Sequence, residues 1–442
     1  MKIIATFFCS LIFTFSLFAQ KADEVLATAN GQKFTSKDLA PEVREAFENL
    51  PKTVGEIRRT MLEQQIADAL FEAESSSRKL TVEKLIETEV TKKLPAPTDE
   101  DIQKIYDANQ AAIGDKTLVE VRPQIVAYLR REPEQKALAE YLSDLKIKYK
   151  TAIGKDVNAP SLKPFEVLAT VGGKQITVAN FEAKNKQTLY DLEADFYDRL
   201  RGSLEQIVYS ALVVVEAKAQ DVATIDFMAR EITDKLREFS DEERARLEND
   251  LRDKLFKKYT AKFLLKEPAP VVQIISTENQ PSKGKRIAPV TVVMFTDFQC
   301  PACSAVHPVL QKVLAEYGDK IRFVVRDFPL TNIHANAFRA ALAANAAHAQ
   351  GKFFEYTEVL YKNQNALDTT SLKKYAADLG LNQKQFDLDL ESEKYVADVR
   401  KDMADGKIYG ITGTPTIFVN GVKVRELSAE SFRNAIEKAL RK

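Results

Sequence analysis

Val290-Thr291-Val292-Val293-Met294-Phe295-Thr296-Asp297-Phe298-Gln299-Cys300-Pro301-Ala302-Cys303 is the stretch that decides the fold of the C-terminal third. The first six residues are β-branched or apolar throughout, the composition of a strand buried on both faces in the middle of a sheet. After a short turn, Cys300 opens a helical pattern that runs to about Tyr317. Pro301 falls at an early helical position, where its missing N–H costs no hydrogen bond. Strand, C-x-x-C, helix is the context in which a cysteine pair points to redox chemistry. A thiol at a helix N-terminus meets the positive end of the helix dipole and unpaired N–H groups, which favour the thiolate and bring its pKa to ~3.5–7.5. Cys300 is therefore the expected nucleophile. Cys303, one turn along and less exposed, is the expected resolving thiol that attacks a mixed disulfide formed at Cys300. Pro301, Ala302 and Asp297 are read as supporting positions.

Cysteine usage across the chain sharpens this reading. There are three cysteines in 442 residues, and Cys9 lies in an N-terminal segment with the pattern of a secretion signal. Lys2 supplies a positive charge, Ile3 to Phe18 is mostly apolar, and Ala19-Gln20 is a plausible cleavage point. Residues 1–19 are expected to be a cleaved signal peptide, the alternative being a retained membrane anchor. The run is short for a span of ~20 residues. The mature chain would then keep only Cys300 and Cys303, too few for a disulfide-stapled scaffold. A zinc site would need a second pair or histidine ligands, and His307, His334 and His348 lack a ligand spacing. A static bridge of such short span would be strained and labile. Neither a metal nor a cofactor is expected. The 64 basic and 64 acidic residues balance, so no nucleic-acid partner and no anionic membrane surface is implied.

A second signature lies far downstream. Gly413-Thr414-Pro415-Thr416 precedes Ile417-Phe418-Val419, and Asn420-Gly421 reads as a hairpin turn into Val422-Lys423-Val424. A proline entering a strand is a poor fit without a special role. With the cysteine motif, this pattern resembles the DsbA-like, thioredoxin_4 branch of the thioredoxin superfamily. The resemblance covers about residues 286 to 442, including Arg326-Asp327-Phe328-Pro329-Leu330 and Gly351-Lys352-Phe353-Phe354-Glu355-Tyr356. It implies a thioredoxin fold with a helical insertion at about 334–400, Pro415 as a cis-proline beside the thiols, and Thr414 as its substrate-facing neighbour. Where that family carries a buried acid that relays protons to the second cysteine, this chain has Met294, which leaves water or Asp297 as the route. His307, one turn past Cys303, is expected to be a partly exposed helix residue rather than a catalytic group.

The region before the cysteines is duplicated. Glu24-Val25-Leu26-Ala27-Thr28 recurs as Glu166-Val167-Leu168-Ala169-Thr170, and the same spacing carries Gly31 onto Gly173, Thr35 onto Thr177 and Leu62-Glu63-Gln64 onto Leu204-Glu205-Gln206. The register then changes, pairing Lys148-Tyr149 with Lys258-Tyr259, so the second copy is shorter in its middle. Each copy opens with a strand-like piece and a glycine turn, then continues in long helical patterns. Val25 to Leu39 and Leu80 to Ile105 resemble the helical N-terminal chaperone domain of the SurA-type peptidyl-prolyl isomerases. No parvulin-type domain is seen, so proline isomerisation is not implied.

The expected fold class is multidomain α plus α/β: two mostly helical repeats, then a thioredoxin fold with an inserted helical domain. The expected boundaries are 20–153 and 164–268 for the repeats, 269–288 for a linker and 289–442 for the DsbA-like domain. The expected activity is that of a periplasmic or otherwise extracytoplasmic thiol–disulfide oxidoreductase. Its partners would be exported client proteins with thiols or disulfides and a separate redox partner that resets the pair. No stable membrane span is expected after cleavage. The helical repeats would bind clients or serve as spacer or homodimerisation arms. Oxidase and isomerase stay open, although Thr414 and the appended N-terminal domains resemble the isomerases. Two other readings stand beside these: a holdase chaperone whose thiol domain only docks, and a thiol carrier serving one partner.

Overall fold

A computed structural model describes residues 24–441; the expected signal peptide and Cys9 lie outside the described residues. The hairpin β1 (Val25–Ala29) and β2 (Gln32–Thr35) leads into the long helix α1 (Pro41–Arg78). Helices α2 (Val82–Glu89), α3 (Asp99–Ala108), α4 (Gln110–Ile113) and α5 (Leu118–Lys148) follow, and the short strand β3 (Ala152–Ile153) closes the first copy. Thr81 and Thr98 cap α2 and α3 by accepting from the N–H groups of Lys84 and Asp101, which satisfies amides left unpaired at a helix start. The second copy repeats the hairpin as β4 (Val167–Val171) and β5 (Lys174–Thr177). The long helix α6 (Val178–Ala219) comes next, then α7 (Thr224–Glu231), α8 (Asp241–Lys258) and β6 (Lys262–Phe263). Two helices thus stand where the first copy has four.

The chain divides into two compact units, one of Glu48–Asn185 and one that joins the residues up to Phe47 to those from Lys186 onward. In the first unit, β3 pairs with β4, extending the hairpin that opens the second copy. In the other, β6 pairs with β1, so the strand that ends the second copy extends the hairpin that opens the first. There Ala27, Ala29 and Phe34 pack with Val208, Leu212, Phe227 and Leu251. The hairpins are exchanged between the copies, and each compact unit is built from parts of both. A lone two-stranded hairpin is marginal in water, and the added strand gives each hairpin a third member.

One ion cluster occurs twice. In the first copy Glu74 accepts from Lys148 Nζ and Tyr149 Oη; in the second, Glu216 accepts from Lys258 Nζ and, at 2.7 Å, Tyr259 Oη. Burial works against ionisation of Glu74, but its hydrogen bonds outweigh that and hold it below the usual range. The Lys258 ammonium, with Tyr259 and Gln220, brings Glu216 down to about 2. A depressed carboxyl binds its proton more tightly in the unfolded chain, so its contribution is complete above the ordinary value of 4.5 and is lost as pH falls toward about 2. Glu216→Gln is expected to flatten the acid limb of thermal stability within that window. Circular dichroism melts at stepped pH measure the effect.

The last part of the chain forms a five-stranded sheet with strand order β11-β10-β8-β9-β7. It contains β7 (Ser282–Lys283), β8 (Val290–Thr296), α9 (Pro301–Tyr317) and β9 (Ile321–Asp327). Helices α10 (Ala337–Ala349), α11 (Phe353–Lys362), α12 (Thr369–Asp378), α13 (Gln383–Glu391) and α14 (Val396–Ile408) follow, then β10 (Thr416–Val419), β11 (Val422–Lys423) and α15 (Ala429–Leu440). β8 and β9 are parallel, connected through α9, and β10 runs antiparallel to β8. The helical insertion reaches Ile408, past the expected end near 400. The stretch 269–288, expected to be a linker, supplies the edge strand β7 and a bridge from Val272 to Val422. A two-residue strand has no hydrophobic period to read. Asn420 and Gly421 both take positive φ, 45° and 79°, the backbone of a type I′ hairpin turn. A Cβ on Gly421 would also meet Gln273 O at 2.1 Å, so only glycine fits there.

Side chains alternate across the central strand. Val290, Val292 and Met294 join one core with Cys300, Cys303, Leu310, Phe323 and Val325, covered by helices of the insertion and α15. Val293 and Phe295 join another with Val324, Phe328, Ile411 and Phe418. The uninterrupted apolar run at 290–295 follows from this double cover.

Candidate active site

β8 stops at Thr296, four residues turn the chain, and Cys300 is the N-cap of α9, with Pro301 in the first turn. The turn is held from both ends. Cys300 N donates to Asp297 O at 3.2 Å, and Ser304 N returns to Cys300 O at 3.2 Å. Gln364 Nε2, from just beyond α11, donates to the carbonyls of Phe298 at 3.0 Å and Cys300 at 2.8 Å. Neither cysteine is in a disulfide.

Thr414 and Pro415 reach the thiols from the start of β10. The Thr414–Pro415 peptide bond is cis, and Cys300 Sγ, as a thiol, donates to Thr414 O at 3.4 Å. Six residue positions expected at the site therefore meet here: Cys300, Pro301, Ala302, Cys303, Thr414 and Pro415. The Cys303 thiol donates to Cys300 and, against the opposing effect of burial, brings Cys300 down to about 5; the N–H groups of Cys303 and Ala302 and the Thr414 hydroxyl add to this. Among the described residues that hydroxyl is buried without a hydrogen-bond partner, and it lies where it can donate to a Cys300 thiolate. Cys303 is fully buried, and burial pushes its thiol up, with the hydrogen bond to Cys300 acting in the same direction. One sulfur favours its anion and the other holds its proton, a division that suits exchange through a mixed disulfide.

Asp297 sits at the strand end, its carboxylate fully committed. Oδ1 accepts from Gln299 N at 2.7 Å; Oδ2 accepts from Leu330 N at 2.8 Å and pairs with His334 Nδ1 at 2.7 Å. It ties the cysteine turn to the loop after β9, and what it offers Cys303 is its backbone N–H. Met294 packs apolar in the core that holds both cysteines.

His307 departs from expectation. It is buried rather than partly exposed, with its ring 4.7 Å from Tyr361 and its Nε2 2.6 Å from Glu358 Oε1. The reason is that α11 of the insertion covers this face of α9. Tyr361 and Gln364 carry no local sequence signal for the same cause: they lie some sixty positions from the cysteines. Thr296, which the sequence places after the strand, is the last residue of β8. Its hydroxyl lies 2.6 Å from Tyr361 Oη in a buried contact.

Residues 276–438 match the family model described as Thioredoxin, so this region is thioredoxin-like. A curated relative named Na(+)/H(+) antiporter NhaA 1, from Mycolicibacterium gilvum, is 38% identical over 167 residues, which is 36% of this chain and 27% of that protein. The chain thus spans about a quarter of the length of the curated relatives it matches. A solved thioredoxin-like oxidoreductase from Silicibacter pomeroyi is similar at 27% identity, covering 37% of this chain and 94% of that one with a TM-score of 0.35. BdbD from Bacillus subtilis, in its oxidised form, is similar at 25% identity, covering 39% and 99% with a TM-score of 0.35.

Proposed function

We propose that this chain is an exported thiol–disulfide oxidoreductase that exchanges disulfides with other exported proteins, with Cys300 as nucleophile and Cys303 as resolving thiol. The observation that carries this reading is the placement of Cys300 at the helix start, its sulfur against the Thr414 carbonyl and beside cis Pro415. An extended client would lie along Thr414, offering its disulfide sulfur to Cys300. The direction of exchange is oxidative or isomerising, because a stable thiolate at Cys300 is a good leaving group and makes the disulfide a willing donor. A separate redox partner resets the pair.

The helical copies would hold or orient clients, or pair two chains. Among their described residues Tyr128, Phe165, Ile225 and Phe239 are exposed apolar side chains, of the kind that engages unfolded segments. That observation also favours the second reading, a holdase whose thioredoxin domain only docks. Localisation beyond the cytoplasm rests on the N-terminal signal pattern. Among the described residues no helix is long and apolar enough to cross a membrane.

The test is a trap. In Cys303→Ala the mixed disulfide cannot be resolved, so purification from the exporting host is expected to yield clients bound through Cys300 and released by reductant. A pure holdase would instead hold its clients without reducible bonds. A single dominant client would identify a thiol carrier.

A further inference from the structure

Three rungs of the β8–β9 ladder face the cysteines: Val292 opposite Phe323, Met294 opposite Val325, and Thr296 opposite Asp327. The first two rungs are apolar and belong to the core that contains Cys300 and Cys303. The third is polar on both strands and lies where the chain leaves β8 for the cysteine turn. Adjacent strands are about 4.8 Å apart and directly opposed side chains share a face, so the Thr296 and Asp327 side chains leave the sheet on the same face at adjoining positions. Thr296 also meets Tyr361 Oη at 2.6 Å. The Thr296 hydroxyl reaches Cys303, and Tyr361 lies within electrostatic reach of both Cys303 and Asp327.

Asp327 has no part in the chemistry described so far. Its Oδ2 accepts from Asn345 Nδ2 of α10 at 2.6 Å, while the buried Oδ1 has no hydrogen-bond partner among the described residues. A buried carboxyl with a free oxygen is costly as a purely structural group. It is suited to gaining and losing a proton.

We propose that Asp327 accepts the proton that Cys303 must lose during resolution, passed through the hydroxyls of Thr296 and Tyr361. Asp327 is thereby a positioning group for protons, acting through two hydroxyls on the buried sulfur. The inference rests on the dithiol reading above. In the mixed disulfide, Cys300 is bonded to the client sulfur and Cys303 is a thiol. Its proton moves to the Asp327 carboxylate, and the Cys303 thiolate attacks Cys300 Sγ. The Cys300–Cys303 bond forms, the bond to the client breaks, and the client leaves as a thiolate. The cysteine pair is oxidised by two electrons and the client disulfide is reduced by the same two; in the oxidative direction the same steps run in reverse, the pair taking up the two electrons and Asp327 returning the proton to Cys303.

The surroundings set the working pH. Burial and then the Asp402 charge push Asp327 up to about 8, Asp398 adds to this, and Asn345 and Arg326 oppose it. Asp402 and Asp398 face it from α14, Arg326 from its own strand. Tyr361 is faced in addition by Asp297 and by the His307 ring, which is held by Glu358. A carboxyl poised near neutrality is populated in both forms there, as a group that exchanges protons needs to be.

Stopped-flow reaction of the reduced full chain with Ellman's reagent, an aromatic disulfide, separates the two thiols. The first release of coloured thiol reports attack by Cys300, the second reports resolution by Cys303. In the unmodified chain the second phase is expected to rise with pH through an inflection near 8. Asp327→Asn is expected to lose that inflection and to slow the second phase at neutral pH on the order of a hundredfold, with the first phase unchanged. Thr296→Val, which leaves every buried charge in place, is expected to slow the same phase. A second phase of unaltered rate and pH profile in Asp327→Asn overturns the proposal, as does one in Thr296→Val should the first variant not fold. Absence of any second release in the unmodified chain would instead reject the dithiol reading on which the proposal stands.

Discussion

Cys300→Ser is expected to reduce disulfide exchange by on the order of a thousandfold or more, to the uncatalysed background, while the fold and thermal midpoint stay near those of the parent chain. The thiolate is the attacking species, and a serine hydroxyl is not ionised at neutral pH. The site concentrates its effort on this one sulfur: the Cys303 thiol, two backbone N–H groups and the Thr414 hydroxyl all stabilise its anion. Serine keeps the N-cap and the contact with Thr414 O, which is why stability should survive. Insulin reduction and refolding of scrambled ribonuclease measure the loss. If client protection were untouched and exchange had never exceeded background, the helical units would be the working part.

The largest structural effect is expected at Arg326. Its guanidinium is fully buried, donates to Asp402 Oδ1 from Nε at 3.0 Å and Nη2 at 2.6 Å, and reaches Asp405 Oδ2 at 2.6 Å. It also lies 5.1 Å over the Phe295 ring. Asp402 Oδ2 accepts from Asp327 N, so the pair clamps α14 onto β9. Arg326→Met would leave Asp402 buried without its cation. Removing one partner of such a pair costs about 3–5 kcal/mol, whereas replacing both with apolar groups is often neutral. Urea unfolding of the single variant should show that loss, and Arg326→Met with Asp402→Leu should recover most of it. Equal stability of the single variant and the parent would contradict the clamp.

Much of the thioredoxin-like region was legible because its signals are local and strong. The β-branched run at 290–295 could be read as a central strand, Cys300-Pro301 as a helix start, and Asn420-Gly421 as a tight turn. Met294 was legible as a missing acid, and it packs as a hydrophobe. The duplication was legible as a constant spacing, but the exchange of hairpins was not. It is made by Ala152–Ile153 and Lys262–Phe263, strands too short to carry any period. The edge strand Ser282–Lys283 was hidden for the same reason.

The site was legible only where chemistry sits next to sequence motifs. Tyr361, Gln364 and His334 act on the cysteine turn from the insertion and the loop before it, and their positions depend on tertiary packing alone. His307 was misplaced because the helix that buries it lies far along the chain. Asp327 could be read only as part of a family-like run of residues. Its meaning comes from the parallel register that sets it opposite Thr296, and no local pattern encodes that register.

The central claim is that Cys300 exists as a thiolate at neutral pH while Cys303 keeps its proton. The most direct measurement is the rate of iodoacetamide alkylation of each cysteine in the reduced full chain against pH, read by peptide mass spectrometry. The expected result is a midpoint of about 5 for Cys300 and no modification of Cys303 across the same range. A midpoint for Cys300 near the ~8.5 of a free cysteine would contradict the account.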